Sequence, residues 1–378
     1  MPWQEPSRMS LRQEFVTLAA QHTIPMQELC QRFGISRKTG YKWLTRSRDP
    51  ADGDLRDRSR RPHTMPTKTG ADLDAAVVAV RRQYPTWGGR KIHYRLLHQG
   101  VPDVPAPSTI TDILHRHALI TPTPDAPRRW QRFEHAAPND LWQMDFLGHV
   151  GVEDGQRVHP LTILDDHSRF LLALHACVHE QQPTVQTHVT VCFERYGMPR
   201  AILMDNGPPW GTSGQGGLTA FEAWLLRLGV EPWHGRPAHP QTQGKIERLH
   251  GTIAADVFAQ RSLPSVAACQ PHFDEFRQIY NHLRPHEGID DEVPISRYEP
   301  SLRSFPKELP EIVYRPDDQV RKVRDQGAIG FANRSWFVSR GLIGLPVAVR
   351  PTTTDGVFQV VSCHREVAII DLTTRSAV

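Results

Sequence analysis

The sequence is poor in the features that mark membrane and secreted proteins. Its 378 residues contain no uncharged apolar run of about 18 residues, so a membrane-spanning helix is not expected. The N-terminal segment MPWQEPSRMS lacks the apolar stretch of a secretory signal. The 5 cysteines are scattered and form no C-x-x-C pair, which argues against a disulfide framework and a structural zinc site. We therefore expect a cytoplasmic protein with no membrane partner.

The sequence also has little net charge, only +4, but that charge is unevenly distributed along the chain. Residues 1–138 have a balance of +9, residues 139–300 a balance of −8, and residues 301–378 a balance of +3. A basic front joined to an acidic middle suggests a polyanion-binding module attached to a segment that collects carboxylates. The alternative at this point is that solvated surfaces simply vary in sign.

The first 52 residues have the pattern of a helix-turn-helix DNA-binding domain. A short predicted helix ends at Gly34, Ser36 is a good N-cap, and a basic helix follows over residues 37–46. Gly40 lies inside that helix, where glycine costs about 1 kcal/mol relative to alanine. Three basic side chains of this helix are expected to face DNA: Arg37, Lys38 and Lys42.

A basic linker over residues 53–66 joins this domain to a second helical segment. The linker carries Arg58, Arg60 and Arg61, which can follow phosphates or enter a minor groove, or can simply be solvated. Helical periodicity then predicts a second helix-turn-helix-like domain over residues 67–121. Residues 122–138 are rich in Pro and Arg and read as an extended linker.

Residues 139–300 change to an α/β pattern that places three acidic residues on three elements. Asp145 lies in a strand whose other face is apolar, and Asp205 follows the continuous apolar run 201–204, which is typical of a central strand. Ligands of open α/β sheets bind at such strand ends. Glu247 lies on a helix that follows a turn containing Pro and Gly. Three carboxylates can hold two divalent cations for nuclease or strand-transfer chemistry.

Several segments together resemble one known family. The segments 142–146, 205–210 and 239–248 resemble the integrase-core (DDE) transposases of bacterial insertion sequences. Within these the sequence is most similar to the four-eighty-one (IS481) group, which is related to insertion-sequence-three transposases and retroviral integrases. The segments 34–43, 57–62 and 85–92 look like the N-terminal DNA-binding region of that group.

The resemblance implies a fold, an activity and a cofactor. It implies an RNase H-like catalytic core in which Asp145, Asp205 and Glu247 bind two Mg²⁺ or Mn²⁺ ions. It also implies cleavage at the terminal inverted repeats of an insertion sequence and attack of the freed 3′-hydroxyl on target DNA. The sequence departs from the wider family in the long spacing of 41 residues between Asp205 and Glu247, which the Gly-rich segment 211–217 accounts for, and in having no Cys/His zinc module.

The resemblance also implies DNA contacts and assembly. Arg90 and Lys91 lie in one of the matching segments and are expected to contact double-stranded DNA. Lys245 and Arg248 flank Glu247 and can contact phosphates or offset the acidic cluster. Joining two ends requires at least a dimer on DNA, and we expect the protein to be associated with the nucleoid. The competing function is a sequence-specific DNA-binding protein or repressor with an inactive integrase-like core.

Other residues near the acidic triad have simpler interpretations. Asp165 and Asp166 fit a structural role, accepting bonds from turn amides or pairing with Arg169. Trp210 is interpreted as a packing anchor, and Asn206 orients Asp205, bonds DNA or forms an Asx turn.

The last segment, residues 301–378, is predicted to be a small antiparallel β-barrel because short apolar runs alternate with Gly, Asp and Thr turns. Its clustered basic residues suggest contact with DNA or a partner subunit, and a purely structural cap is the alternative. The fold class is thus multidomain: N-terminal all-α helix-turn-helix modules, a central α/β RNase H-like core and a C-terminal β domain.

Overall fold

The structure is a computed structural model that describes residues 8–49, 55–57, 69–120, 134–211, 217–235 and 244–373. The chain divides into two compact units, residues 1–68 and residues 69–378. Across these described ranges, no helix has both the length and the apolar character needed to cross a membrane.

The first unit is a three-helix domain whose helices are α1 (Arg8–Ala20), α2 (Met26–Arg32) and α3 (Arg37–Ser47). Helix α3 begins as predicted, because the Ser36 hydroxyl accepts a hydrogen bond from the amide of Thr39 at 3.2 Å. Trp43 and Leu44 are buried with Phe15 and Leu29, which fixes one face of α3 against α1 and α2. The predicted helix-turn-helix fold is confirmed.

Gly40 is required by the packing of these helices. A Cβ atom at this position would lie 2.7 Å from the Sγ atom of Cys30 and 2.9 Å from Cζ of Phe15. The intrinsic cost of glycine in α3 is therefore offset by the close approach of α3 to its neighbours.

We expect Gly40→Ala to lower the free energy of unfolding by about 1–3 kcal/mol, because overpacking outweighs the gain in helix propensity. The matched control is Gly251→Ala on an exposed helix position where a new Cβ meets no atom within 4 Å. The control should be neutral or raise stability by up to about 1 kcal/mol. Calorimetric unfolding of the full chain measures both changes. A stabilised Gly40→Ala protein would contradict the packing argument.

The second unit begins with another three-helix bundle, formed by α4 (Ala71–Gln83), α5 (Gly89–His98) and α6 (Pro107–Arg116). Gly89 allows α5 and α6 to approach closely, since a Cβ there would lie 2.4 Å from the carbonyl oxygen of Pro107. The bundle also packs on the rest of its unit: Ile279 and Leu283 join its core, and the Thr86 hydroxyl donates to Asp256 at 2.5 Å.

The central domain is an α/β fold built on one mixed sheet. Its strands are β1 (Leu141–Phe146), β2 (Val150–Gly151), β3 (Arg157–Asp165), β4 (Leu171–Cys177), β5 (Ala201–Met204) and β6 (Glu231–His234). The pairings run β4-β3-β1-β5-β6: β4, β3 and β1 are antiparallel neighbours, whereas β5 and β6 add parallel strands beside β1. Strands β1 and β5 have the bounds that the sequence predicts.

Helices cover both faces of this sheet, as the continuous apolar sequence of β5 requires. On one face lie α7 (Gln182–Tyr196) and α8 (Ala220–Arg227), which bury Phe193 and Phe221 against Trp142 and Ile202. On the other face lie α9 (Gly244–Ile253) and α10 (Val266–His282), which pack on β3 and β4. The predicted RNase H-like α/β core is confirmed.

The C-terminal region is a β domain, as predicted, and its described antiparallel strands lie in two sheets. Strands β7 (Gln319–Lys322), β10 (Pro346–Pro351), β11 (Val357–Ser362) and β12 (Arg365–Asp371) form an antiparallel sheet in the order β12-β11-β10-β7. Strands β8 (Ala328–Phe331) and β9 (Arg334–Phe337) form a two-stranded sheet over the same core. Ala223 and Leu226 of α8 enter this core, so the β domain packs directly on the central domain.

Candidate functional site

The centre of the candidate site is the edge of the sheet where β1 and β5 end. These strands are parallel, and their register pairs Gln143 with Leu203. Asp145 lies two residues further along β1, and Asp205 directly follows the last residue of β5. The expectation that Asp205 follows a central buried strand is fulfilled, since β5 is buried along its whole length.

Electrostatics shows that the three predicted acids share one neighbourhood. Burial raises the pKa of Asp145 to about 7, and repulsion from Asp205 adds to this shift, with a smaller effect from Glu247. Glu247 is exposed on the first turn of α9, whose Ile246 and Leu249 are buried. Burial and the neighbouring carboxylates both disfavour the charged form of Asp145, and a bound cation would offset that effect.

The donor set fits Mg²⁺ or Mn²⁺, because carboxylate oxygens are hard ligands. Over the ranges that the structure covers, no three His, Cys, Asp or Glu side chains are close enough to form a ready-made metal cage. Asp145, Asp205 and Glu247 thus lie near one another, but their carboxylates do not surround one shared position. The segments 212–216 and 236–243, which include His239 and flank the site in sequence, lie outside the described residues.

The backbone of Asp145 is fixed by a short hydrogen-bonded chain. The hydroxyl of Thr162 on β3 donates to the Asp145 carbonyl at 2.9 Å, and it lies 2.9 Å from Nε2 of His250. Because the hydroxyl proton is used on Asp145, His250 donates from Nε2, as a neutral imidazole does. Burial lowers the pKa of His250 to about 4, which favours this neutral form. His250 therefore supports the site from α9 without touching the acids.

Asp205 is held from several directions. Its Oδ1 accepts hydrogen bonds from the amide of Gly207 at 3.1 Å and from Nε1 of Trp210. Its carbonyl oxygen lies 2.6 Å from Nδ1 of His234, whose Nε2 lies 2.8 Å from the buried carboxylate of Glu222. The hydrogen bond to Glu222 raises the pKa of His234. The sequence interpretation of Trp210 as a packing anchor is thus incomplete.

Asn206 connects the ends of two strands. Its side-chain amide donates to the carbonyl of Gly235 at 2.9 Å, just after β6. This bridge between the ends of β5 and β6 is a role that the sequence interpretations did not include.

Glu180 is a further acid near Asp145 that sequence reasoning missed. It lies in the connection between β4 and α7, its carboxylate is 2.7 Å from Nδ1 of His159, and its charge also raises the pKa of Asp145. No local pattern distinguishes Glu180 from the other acids of this domain, because its proximity depends on the pairing of β3 with β1 and β4.

Asp165 and Asp166 have the structural roles predicted for them. Both are fully buried at the end of β3. Asp165 accepts from the amides of Asn139 and Ser168 at 2.7 and 2.8 Å, and Asp166 accepts from Gln143 at 2.8 Å. The other suggested role was an ion pair with Arg169. In the structure the Arg169 guanidinium instead donates to Glu134 at 2.9 Å.

Asp166 has its cationic partner in Lys245. The Lys245 ammonium lies 2.5 Å from Oδ1 of Asp166, and burial lowers the pKa of Lys245. The sequence predicts that Lys245 contacts DNA, whereas in this structure its ammonium group forms an ion pair with Asp166 inside the domain. Arg248, three residues further along α9, is exposed.

The DNA contacts predicted for the first unit fall into two groups. Arg37, Lys38 and Lys42 are exposed on α3, and the Lys42 ammonium lies over the Trp43 ring, 5.1 Å from its centroid. This surface is available to a groove, as the sequence predicts. The linker residues Arg58, Arg60 and Arg61 lie outside the described residues.

The two basic residues predicted at the start of α5 contact the central domain. Arg90 forms a 2.5 Å ion pair with Glu287, although about half of its side chain stays exposed. Burial lowers the pKa of Lys91 to about 8, and the neighbouring Arg284 acts in the same direction, opposed by Asp256. Lys91 is thus placed in the contact between the second helical bundle and the core, where phosphate access is restricted.

Five family models match this chain. "Integrase core domain" models match residues 135–240 and 228–294, which contain all three acids. The model "IS481 family transposase, C-terminal domain" matches residues 318–378. The models "Helix-turn-helix domain" and "Homeodomain-like domain" match residues 11–63 and 39–114.

Curated relatives come from insertion elements and retroviruses. An insertion element IS476 protein of 39.2 kDa from Xanthomonas euvesicatoria is 24% identical over 246 residues, which cover 64% of this chain and 68% of that protein. The Gag-Pro-Pol polyprotein of squirrel monkey retrovirus is 35% identical over 116 residues, or 31% of this chain. That match spans only 6% of the polyprotein.

Two retroviral structures align with this chain at low TM-scores. A simian T-cell lymphotropic virus intasome in complex with PP2A regulatory subunit B56 gamma aligns with a TM-score of 0.39 and 17% identity, over 78% of this chain and 95% of that one. The HTLV-2 integrase catalytic core domain in complex with magnesium aligns with a TM-score of 0.34 and 14% identity, over 43% of this chain and 97% of that one.

Proposed function

We propose that this chain, which matches the integrase core models and the IS481 transposase C-terminal model, is a transposase of the IS481 group that binds the terminal inverted repeats of an insertion sequence and joins their ends to target DNA. The observation that carries the proposal is that Asp145 on β1 and Asp205 directly after β5 lie at the ends of two neighbouring parallel strands, with Glu247 close enough to influence Asp145. Three neighbouring carboxylates, two at strand ends and one on a helix, suit phosphoryl transfer with divalent cations.

In this proposal Asp145, Asp205 and Glu247 hold two Mg²⁺ or Mn²⁺ ions. The cations supply activation of the attacking oxygen and neutralisation of charge on the phosphate. The protein's own contribution is positioning: β1 and β5 fix two carboxylates, α9 presents the third, and Thr162 with His250 fixes the Asp145 backbone. Phosphoryl transfer depends mainly on such positioning and on electrostatic stabilisation.

The DNA-reading function is assigned to the helical domains. Helix α3 presents Arg37, Lys38 and Lys42 for a major groove. The proposal also assigns contacts with the DNA phosphates to Arg58, Arg60 and Arg61 of the linker. Arg248, on the exposed side of α9, is positioned to meet phosphates near the acids. Arg90, Lys91 and Lys245 can contribute only if their contacts within the protein are exchanged for DNA.

Two further features complete the proposal. Coordinated joining of two ends requires at least a dimer on DNA, and a DNA-dependent enzyme of this class works in the cytoplasm on the nucleoid. We also propose the sequence-derived division into domains at residues 1–52, 67–121, 139–300 and 301–378, connected by linkers over 53–66 and 122–138.

A joining assay with the full chain tests the function. The substrate is a labelled duplex that carries the inverted repeat flanking the gene, and the target is a plasmid. We expect joined products with Mg²⁺ or Mn²⁺ and none with a chelator. A duplex of the same length and composition with a scrambled end is the matched control and should not be joined.

The same assay separates this proposal from its competitor. Specific binding to the end duplex without joining in either Mg²⁺ or Mn²⁺ would overturn the transposase proposal and favour a DNA-binding protein or repressor with an inactive core. Mass photometry of the complex with paired ends measures the assembly, and a monomer on paired ends would contradict the dimer.

A further inference from the structure

The indole of Trp210 connects the two strand ends that carry Asp145 and Asp205. Its Nε1–H donates to Oδ1 of Asp205. Its ring stacks on Phe146, with centroids 5.3 Å apart and an angle of 17° between the ring planes. Phe146 directly follows Asp145 on β1. The Trp210 side chain therefore contacts both the Asp205 carboxylate, just after β5, and Phe146, the residue that follows Asp145 on β1.

The position of Trp210 is itself fixed by its surroundings. Only 2% of its surface is exposed, and it belongs to the main core of the central domain. The hydroxyl of Thr219 donates to its carbonyl oxygen at 2.9 Å. Thr219 also caps α8 together with Glu222, and the Glu222 carboxylate contacts His234 behind Asp205. The start of α8 thus anchors Trp210 and His234, two of the groups that hold Asp205.

The two oxygens of the Asp205 carboxylate differ in their hydrogen bonds. Oδ1 receives the N–H groups of Gly207 and Trp210. Among the described residues, both hydrogen bonds to this carboxylate are to Oδ1, which leaves Oδ2 for a cation in this proposal. Outer hydrogen bonds that orient a ligating carboxylate generally raise metal affinity, and their loss typically weakens it by about 10–100-fold.

We propose that Trp210 is a positioning residue that orients the Asp205 carboxylate for a divalent cation and holds it in register with Asp145. This inference rests on the proposed role of Asp205 as a metal ligand. It assigns to the indole N–H a function that packing alone does not require, since phenylalanine would fill much of the same space against Phe146 without donating a hydrogen bond.

Direct measurement of Mn²⁺ binding tests this inference without relying on activity. The full chain is titrated with Mn²⁺, and free Mn²⁺ is followed by electron paramagnetic resonance. We expect Trp210→Phe to weaken binding about 10-fold, because the ring remains on Phe146 while the donor is lost. The matched control is Trp224→Phe, a buried tryptophan that stacks on Phe221 and Phe193 in the same core, and it should bind like the wild type.

A second substitution keeps the test decisive if Trp210→Phe does not fold. Incorporation of 3-benzothienylalanine at position 210 replaces the indole N–H by sulfur and preserves the bicyclic shape. This variant should also lose about 10-fold in Mn²⁺ affinity. Mn²⁺ affinity within twofold of wild type in a folded variant that lacks the donor would overturn the inference.

Asp205→Asn distinguishes failure of this inference from failure of the proposed function. If Asp205→Asn loses Mn²⁺ binding and the position-210 variants do not, Asp205 is a ligand that Trp210 does not position. If Asp205→Asn also binds Mn²⁺ like the wild type, the assignment of the metal ligand is wrong and the inference falls with it.

Discussion

Replacing Asp205 by asparagine is expected to lower the rate of strand transfer by about 10³-fold, which corresponds to about 4 kcal/mol in activation free energy. The amide keeps the size of the side chain but removes its charge and its strength as a ligand for a hard cation. Affinity for the end duplex should change less than about twofold, because the predicted end-reading surface lies on α3 in the other unit. Joining and gel-shift assays measure the two quantities separately.

The same loss is expected for Asp145→Asn and Glu247→Gln. Asp355→Asn is the matched control, because this exposed acid lies in a turn of the C-terminal β domain and should join ends at the wild-type rate. Asp205→Cys adds a metal-specific test, since a thiolate is a softer ligand and should support more activity with Mn²⁺ than with Mg²⁺. An Asp205→Asn protein that joins ends as fast as the wild type would refute the assignment.

Removing the carboxylate of Asp166 should destabilise the central domain severely. Asp166 is fully buried and receives the Lys245 ammonium at 2.5 Å as well as the backbone amide of His135 at 2.8 Å. Asp166→Ala leaves a largely buried cation without its counter-charge, so we expect a loss of about 3–5 kcal/mol in the free energy of unfolding. Denaturant titration of the full chain, followed by fluorescence, gives the change.

A double-mutant cycle identifies the ion pair as the cause. Lys245→Met should also destabilise, and the double variant should lose less than the sum of the single changes, by about 1–3 kcal/mol. Arg200→Met is the control for loss of a surface cation, because Arg200 is largely exposed and lies 3.5 Å from Asp140, and it should change stability by less than about 1 kcal/mol. Additive effects of Asp166 and Lys245 would show that the pair is not energetically coupled.

Lys245 also illustrates how a sequence motif can have two uses. The lysine stands two residues before Glu247, which suggests a phosphate contact, yet the fold brings it to a carboxylate 79 residues earlier. Lys91 behaves similarly, because the second helical bundle packs on α10 and buries it beside Arg284 and Asp256. In both cases the sequence predicts a basic residue near the DNA-binding or catalytic segment. It does not predict which charged groups of the folded protein lie beside that residue.

Much of the architecture followed from local patterns. The alternation over residues 141–146 and the apolar run over 201–204 gave the two central strands with their observed bounds, because burial of one or both faces leaves a direct trace in sequence. Ser36 marked the start of α3 for an equally local reason. Gly40 was judged unfavourable from propensity alone, and only the packing of Phe15 and Cys30 explains it.

The sequence by itself determined which residues are candidates: three acids on three elements, a basic recognition helix, and an acidic middle segment that a cation would partly neutralise. Only the tertiary structure decided how these acids are supported, through Trp210 on Asp205, His250 behind Asp145, and Glu180 beside it. The physical reason is the range of the interactions. Helix and strand periodicity is set by neighbours a few residues apart, whereas the Thr162–His250 contact joins residues 88 positions apart and forms only after the sheet and α9 have packed.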